Sequence, residues 1–455
     1  MSNTAIDDYN THLGYHPSVI PLDIRLGLTT APSDDKPADS HDSPGANDSP
    51  GAKDPSSPQA LRWGVLATGK VAHDFTQVLK FLSLTARRHA IVAVGSRTQV
   101  RASEFASLHS IPAAYGSYEE LCADPNVDIV YVASLHPDHR THAEMALLNG
   151  KHVLVEKPIC MKASDAQYLY DLGKEKNLFV GEGMWTRFFP AVEWARMRMG
   201  HSDVSDASSD VESIGRVRVV QADFSIDGDD VGPYPIDSIY ARDLGGGTIY
   251  TMGPYVIAAA MMPFGKEPET IAANGILSND GEDVGELAVG MTMVFKTEGK
   301  FSRSASSPPS AMSMASGMVT YLAESSEETM YAGKGGRITL LGPAHCPTKA
   351  CLKTKQSGRG NGASSSTEGG DTDKTATETS TSNDIIVEFP LPASLPEIEA
   401  SSGIQMPNSM GFIYEAETVR RLIAAGQTTF PQWTPKESIG CLRTLEKALE
   451  QINKI

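Results

Sequence analysis

From Leu61 onward the chain alternates short, continuously apolar runs with stretches in which apolar residues recur every three or four positions. The first run, 62–67, leads through a glycine-containing turn to Val71, Phe75, Val78, Leu79 and Leu82 at helical spacing. Runs at 91–94, 129–133, 152–155 and 178–180 predict further buried strands. Between them the pattern predicts helices over 99–108, from 117, over 141–148 and over 164–176, with Ser117 and Glu120 spaced as a capping box. Strands apolar on both faces, each followed by a helix, specify α/β architecture with a doubly wound parallel sheet of Rossmann type.

Past about residue 215 strand follows strand: 217–224, 270–277, 287–295, 319–322, 337–341 and 385–389. Helices recur only at 252–262, 412–425 and 436–452. This predicts an α+β domain with an open antiparallel sheet backed by helices. Four stretches rich in Ser, Asp, Gly, Pro and Thr cannot bury enough apolar surface to offset the entropy of ordering. Residues 1–60 read as a disordered tail, and 201–213, 304–317 and 357–384 as low-complexity insertions. The expected domains are therefore 61–182 for nucleotide binding and 183–455 for substrate.

Lys and Arg number 39 against 56 Asp and Glu, a formal charge of −17. That balance argues against nucleic-acid and anionic-membrane partners, which are polyanions. Much of the charge belongs to the tail and insertions: residues 1–60 alone hold three basic against nine acidic side chains. Five scattered cysteines, with no C-x-x-C pair, fit a reducing compartment rather than a disulfide framework. With no leader-like start and no apolar run of membrane-spanning length, a soluble cytoplasmic protein is expected. No spacing of His, Cys, Asp or Glu matches a metal site, so none is expected.

The turn Ala67-Thr68-Gly69-Lys70-Val71-Ala72 parallels G-x-G-x-x-G/A, with Ala67 in place of the first glycine. Gly69 is the central glycine, whose missing side chain admits a pyrophosphate to the backbone N–H groups of a helix N-terminus. The second strand ends in Ser96-Arg97, where an NAD enzyme would place Asp or Glu for the ribose 2′-hydroxyl. A hydroxyl and a guanidinium suit a 2′-phosphate instead, which favours NADP(H).

The fifth strand runs into Glu156-Lys157-Pro158. Together with Glu182-Gly183-Met184-Trp185-Thr186-Arg187-Phe188-Phe189-Pro190, Gly245-Gly246-Gly247, Cys346-Pro347-Thr348 and Tyr414-Glu415-Ala416, this resembles the glucose-fructose oxidoreductase/inositol dehydrogenase (Gfo/Idh/MocA) family. The nearest likeness is to its dihydrodiol and NADP-dependent D-xylose dehydrogenases. The resemblance implies that Lys157 sits beside the nicotinamide and the reacting carbon, with Glu156 among the cofactor-binding residues. It makes Tyr255 the base that removes the hydroxyl proton, and Trp185, Arg187 and Phe188 substrate-facing. Thr251 departs from the pattern, since those relatives carry an aspartate there. His136 and His139, after the fourth strand, either flank the cofactor or hold their loop. A homodimer through the open sheet face is also implied. A dehydrogenase acting on a sugar or cyclic diol is the leading expectation; the alternative is a non-catalytic dinucleotide-binding sensor or repressor of the same fold.

Overall fold

A computed structural model describes residues 60–200, 213–228, 239–278, 284–297, 311–355 and 384–453. The expected tail except its last residue, the insertion 201–213 except its last residue, residues 304–310 and residues 357–383 lie outside them.

The first half runs β1 (Leu61–Leu66), α1 (Lys70–Ala86), β2 (His89–Gly95), α2 (Gln99–His109), β3 (Ala113–Tyr115), α3 (Tyr118–Ala123), β4 (Ile129–Val132), α4 (His139–Leu148), β5 (His152–Glu156), α5 (Ala163–Lys176) and β6 (Val180–Gly183). The strands form one parallel sheet in the order β3-β2-β1-β4-β5-β6. The order reverses between β1 and β4, which opens a crevice at their carboxyl ends. Every residue of β4 is fully buried, because helices cover both faces. Ser117 caps α3 by accepting the Glu120 N–H at 3.2 Å. β3, three half-buried residues, has too short a pattern to be read from sequence.

The second half contains α6 (Pro190–Arg196), β7 (Val217–Ser225), α7 (Thr248–Thr251), α8 (Gly253–Met261), β8 (Thr270–Leu277), β9 (Glu286–Thr297), β10 (Ala311–Thr320), β11 (Thr329–Gly333), β12 (Gly336–Leu340), β13 (Lys349–Thr354), β14 (Asp384–Glu388), α9 (Pro396–Glu399), α10 (Phe412–Ala424) and α11 (Pro435–Ile452). Its eight strands pair in the order β14-β13-β12-β11-β7-β10-β9-β8. Two sequence expectations are corrected here. The sheet is mixed, because β10 pairs parallel with β7, Met314 opposite Val219. Residues 311–317, assigned to an insertion, belong to β10, which lies between β7 and β9. Their Ser, Ala and Gly content looks like low complexity but alternates: Ser313, Ala315 and Gly317 face inward, and Met312, Met314 and Met318 face out. Small residues are required inside, since a Cβ on Gly317 would approach Val256 of α8 to 2.3 Å.

The two halves share one core. Phe75 of α1 stacks on Tyr131 of β4 and meets Phe412 of α10, and Phe412 stacks in turn on Trp185. Fully burying each such ring stabilises the fold by roughly 2–3 kcal/mol. Among the described residues no helix is long and apolar enough to cross a membrane.

Candidate active site

The β1–α1 turn has the shape its sequence only partly announces. Ala67 adopts φ +84°, a conformation a glycine would take without penalty. Its N–H is tied to the Gly95 carbonyl at 3.0 Å, so the turn is held despite a local strain of about 1 kcal/mol. Gly69 is the N-cap of α1, exposed, with nothing within 4 Å of where a Cβ would stand. No side chain caps this helix and its first turn carries no acidic residue. Backbone donors and a positive dipole end are thus offered to an anion, as dinucleotide binding requires. Thr68, Lys70 and Val71 flank Gly69, half-buried. At the tip of β2, Ser96 is buried while Arg97 is exposed, with no ion pair among the described residues.

Lys157 leaves the carboxyl end of β5 half-buried. Its Nζ donates to the Thr251 carbonyl at 2.7 Å and lies 4.8 Å from the centre of the Tyr255 ring. Burial pushes this ammonium below its ordinary pKa, with Glu156 and Glu182 pulling the other way. The Tyr255 hydroxyl accepts the Trp185 indole N–H at 3.0 Å, which fixes the phenol beside the lysine. The departure at Thr251 has a local explanation: the backbone carbonyl of that position holds the lysine, whatever its side chain. The hydroxyl of Thr251 donates to the Gly247 carbonyl at 2.7 Å and receives the Tyr321 hydroxyl at 2.6 Å.

Four expected ligand contacts are turned inward instead. Glu156 is 8 % exposed and accepts the Tyr131 hydroxyl at 2.6 Å and the Lys157 N–H at 3.2 Å. It backs the lysine rather than lining a dinucleotide surface, and burial raises its pKa. His139 is fully buried with its ring nitrogens 2.8 Å from the Pro158 carbonyl and 3.0 Å from that of Ser134, so it holds the loop. Arg187 pairs with Glu437 at 3.2 Å, donates to the Ala258 carbonyl at 2.7 Å and lies over the Trp433 ring. Phe188 packs on Phe430. These two anchor the segment that carries Trp185. His136 stays at the site's edge, half-buried, its Nδ1 3.0 Å from the Gly245 carbonyl, and burial lowers its pKa to about 3. Gly245, at φ +75°, permits this contact, because a Cβ there would stand 2.7 Å from the His136 Cβ.

Residues that sequence reasoning passed over complete the wall. The His345 ring stacks on Phe224 with centroids 4.1 Å apart and lies 5.6 Å from that of Tyr255. Cys346-Pro347-Thr348 pointed to the neighbourhood but not to His345. Behind the lysine, Glu415 is fully buried, with neither carboxyl oxygen hydrogen-bonded among the described residues. Burial, with Glu156 and Glu182 nearby, holds its pKa well above the ordinary carboxylate value. Among the described residues no three His, Cys, Asp or Glu are grouped to hold a metal ion.

Family models match both halves: an oxidoreductase family with NAD-binding Rossmann fold over residues 61–184, and a GFO/IDH/MocA C-terminal domain over 210–309. A trans-1,2-dihydrobenzene-1,2-diol dehydrogenase of Danio rerio is 31 % identical over 401 residues, covering 87 % of this chain and 98 % of the relative. The enzyme of that name from Sus scrofa is 31 % identical over 396 residues, 87 % and 96 % of the two chains. Among solved structures, a levoglucosan dehydrogenase in complex with NADH and levoglucosan superposes with a TM-score of 0.62 at 15 % identity, covering 87 % of this chain and 98 % of that one. A 3-ketoreductase from Actinomadura kijaniata in complex with NADP gives 0.61 at 17 % identity over the same shares. The matching domains, their order and the full-length likeness show that this chain is an oxidoreductase of the Gfo/Idh/MocA family.

Proposed function

We propose that the protein is an NADP-dependent dehydrogenase of a ring CH–OH, taking an aldose such as D-xylose to its lactone or a trans-dihydrodiol to a catechol. The dihydrodiol dehydrogenase relatives favour the cyclic diol, and the levoglucosan dehydrogenase neighbour makes a sugar ring equally suited to the fold. The turn around Gly69 would hold the pyrophosphate, and Ser96 and Arg97 a ribose 2′-phosphate. A nicotinamide, when bound, supplies the hydride acceptor.

One observation carries the reading: a lysine ammonium set over the ring of a tyrosine at the carboxyl edge of the parallel sheet. Tyr255, ionised to the phenolate, takes the hydroxyl proton as the carbon gives up hydride, and is left as the neutral phenol. The charge of Lys157 favours that phenolate and the developing alkoxide. Thr251 aims the ammonium through its carbonyl, and Trp185 orients the phenol. An acid–base pair held this way is superfluous in a mere dinucleotide sensor. In keeping with the family likeness, the protein acts as a cytoplasmic homodimer.

The test is NADPH formation with aldoses and trans-dihydrodiols, comparing the wild type with Lys157→Met. The variant should lose about 1,000-fold in kcat while NADP affinity stays within about threefold. No turnover by the wild type on either class, with NADP or NAD, would refute the reading.

A further inference from the structure

Glu327 and His345 meet beside Tyr255, with His345 in the wall of a small cavity. The imidazole Nδ1 is 3.2 Å from the Glu327 carboxylate, close enough for an ion pair but too oblique for a well-formed hydrogen bond. Both side chains are largely enclosed, 15 % and 13 % exposed. Glu327 takes φ +49°, a left-handed backbone that non-glycine residues rarely adopt. Its N–H is fixed on the Ser325 hydroxyl at 3.2 Å and its carbonyl by the Ala344 N–H at 2.8 Å. Thr186, next to Arg187, donates its hydroxyl to the His345 carbonyl. The pair is therefore held from three directions, and strain retained at such a point commonly marks function.

A cavity of about 20 Å³ touches His345, Phe224, Tyr255 and Thr186, room for a single water-sized group. Around it the wall is aromatic: Phe224 faces the imidazole at 4.1 Å, with Trp185 6.2 Å away. A carboxylate beside Nδ1 selects the tautomer with the proton on Nδ1, which leaves Nε2 as an acceptor. Nε2 makes no hydrogen bond among the described residues and is not sealed off. An aromatic wall with the Tyr255 hydroxyl and one imidazole acceptor has two polar points. Their rings are 5.6 Å apart. With the ring centres this close, a small ring lying against Tyr255 also lies against His345.

Building on the proposed dehydrogenase reading, we infer that His345, oriented by Glu327, accepts a hydrogen bond from a second substrate hydroxyl next to the one deprotonated by Tyr255, so that the pocket selects cyclic vicinal diols over mono-alcohols. His345 thereby sets specificity, and Glu327 is its positioning residue.

The probes are trans-cyclohexane-1,2-diol and cyclohexanol, identical rings with and without the second hydroxyl. Long-range ¹H–¹⁵N spectra of the full chain should show the His345 proton on Nδ1. Glu327→Gly suits the left-handed backbone and so keeps the fold, yet should leave a mixture of tautomers. The diol, and not cyclohexanol, should shift the Nε2 resonance. In turnover, His345→Phe should raise KM for the diol about tenfold, the loss expected for one hydrogen bond, with kcat within about threefold, and should narrow the preference for the diol over cyclohexanol by about the same factor. A proton found on Nε2, or equal responses to the two probes, would overturn the inference. A wild type that binds the diol with the Nε2 shift but oxidises neither alcohol would defeat the dehydrogenase reading and leave the recognition role supported.

Discussion

Arg97 stands exposed at the tip of β2, with no ion pair among the described residues to break on meeting a phosphate. Replacing it with Ala should therefore leave stability alone and act on cofactor choice. A guanidinium–phosphate pair in this setting is worth about 1.5–3 kcal/mol, so the Kd for NADP should rise about 10- to 100-fold and that for NAD change less than about twofold. Titration of the variant with both cofactors by fluorescence checks this; equal losses for the two would remove the 2′-phosphate role. Arg187 shows how differently the same residue type behaves when enclosed. Read from sequence it faced a substrate, yet its partner is Glu437, 250 residues along the chain. Residue type and spacing announce that a guanidinium is present near the site, but the direction it points follows from a carboxylate that only folding brings there. Glu156 turns inward for the same reason, its partner Tyr131 lying on β4, and His139 bridges the Pro158 carbonyl to that of Ser134 in its own loop.

Helix α10 is joined to the parallel sheet by a chain of polar contacts. The Trp63 indole N–H, which can only donate, points at His89 Nδ1 at 3.1 Å. His89 must then carry its proton on Nε2, 3.1 Å from Glu417, and Glu417 also accepts from Arg420 and Arg421 at 2.7 Å. Burial raises the Glu417 carboxyl, but the hydrogen bonds of Arg420, His89 and Arg421 outweigh it and hold the group far below its ordinary 4.5. A carboxyl held low contributes stability in full above its unfolded value and loses it as pH falls through the carboxylate range. Burial keeps His89 below its ordinary 6.5, so the unfolded chain takes up that proton first and stability begins to fall under that pH. Both effects make the fold acid-labile. Glu417→Gln should cost about 2–3 kcal/mol near pH 7, because two arginines lose a buried partner, and the deficit should shrink toward pH 3. Urea unfolding across that range checks it; a deficit independent of pH would mean that Glu417 acts by packing alone.

At the scale of the whole molecule, the described residues place helices on one face of the second sheet and none on the other. On β10 the residues pointing away from α8 include Met312, Met314 and Met318, and Val219 of β7 sits beside Met314. Alternation is normally apolar inside and polar outside; here large apolar side chains of β10 point outward, and its inward-facing Ser313, Ala315 and Gly317 are small. An apolar sheet face of this kind marks an association surface, which fits the proposed homodimer. Sedimentation should give twice the 48.7 kDa chain mass. Met314→Lys, placing a charge at that face, should weaken the dimer at least about 100-fold while the far-ultraviolet spectrum is unchanged. A monomeric wild type would rule out this surface as a stable interface.

Periodicity alone determined the Rossmann half, since an apolar strand followed by an amphipathic helix is a local signal that repeats at each β-α unit. A turn pattern singles out Gly69, and the family likeness singles out Lys157 and Tyr255 as candidates; folding then brings Lys157 and Tyr255 together. The second half was read less well where long-range packing overrode composition: β10 looked like an insertion because its inward residues must be small beneath α8, and β11 and β13 went unread. Tertiary structure decided that the Thr251 carbonyl, rather than a carboxylate, holds the lysine, and that Arg187, Glu156 and His139 face inward. It also decided that His345 and Glu327, 18 positions apart in sequence, meet beside Tyr255. Those outcomes depend on which distant groups compete for a buried donor or acceptor, and no local pattern along the chain encodes that competition.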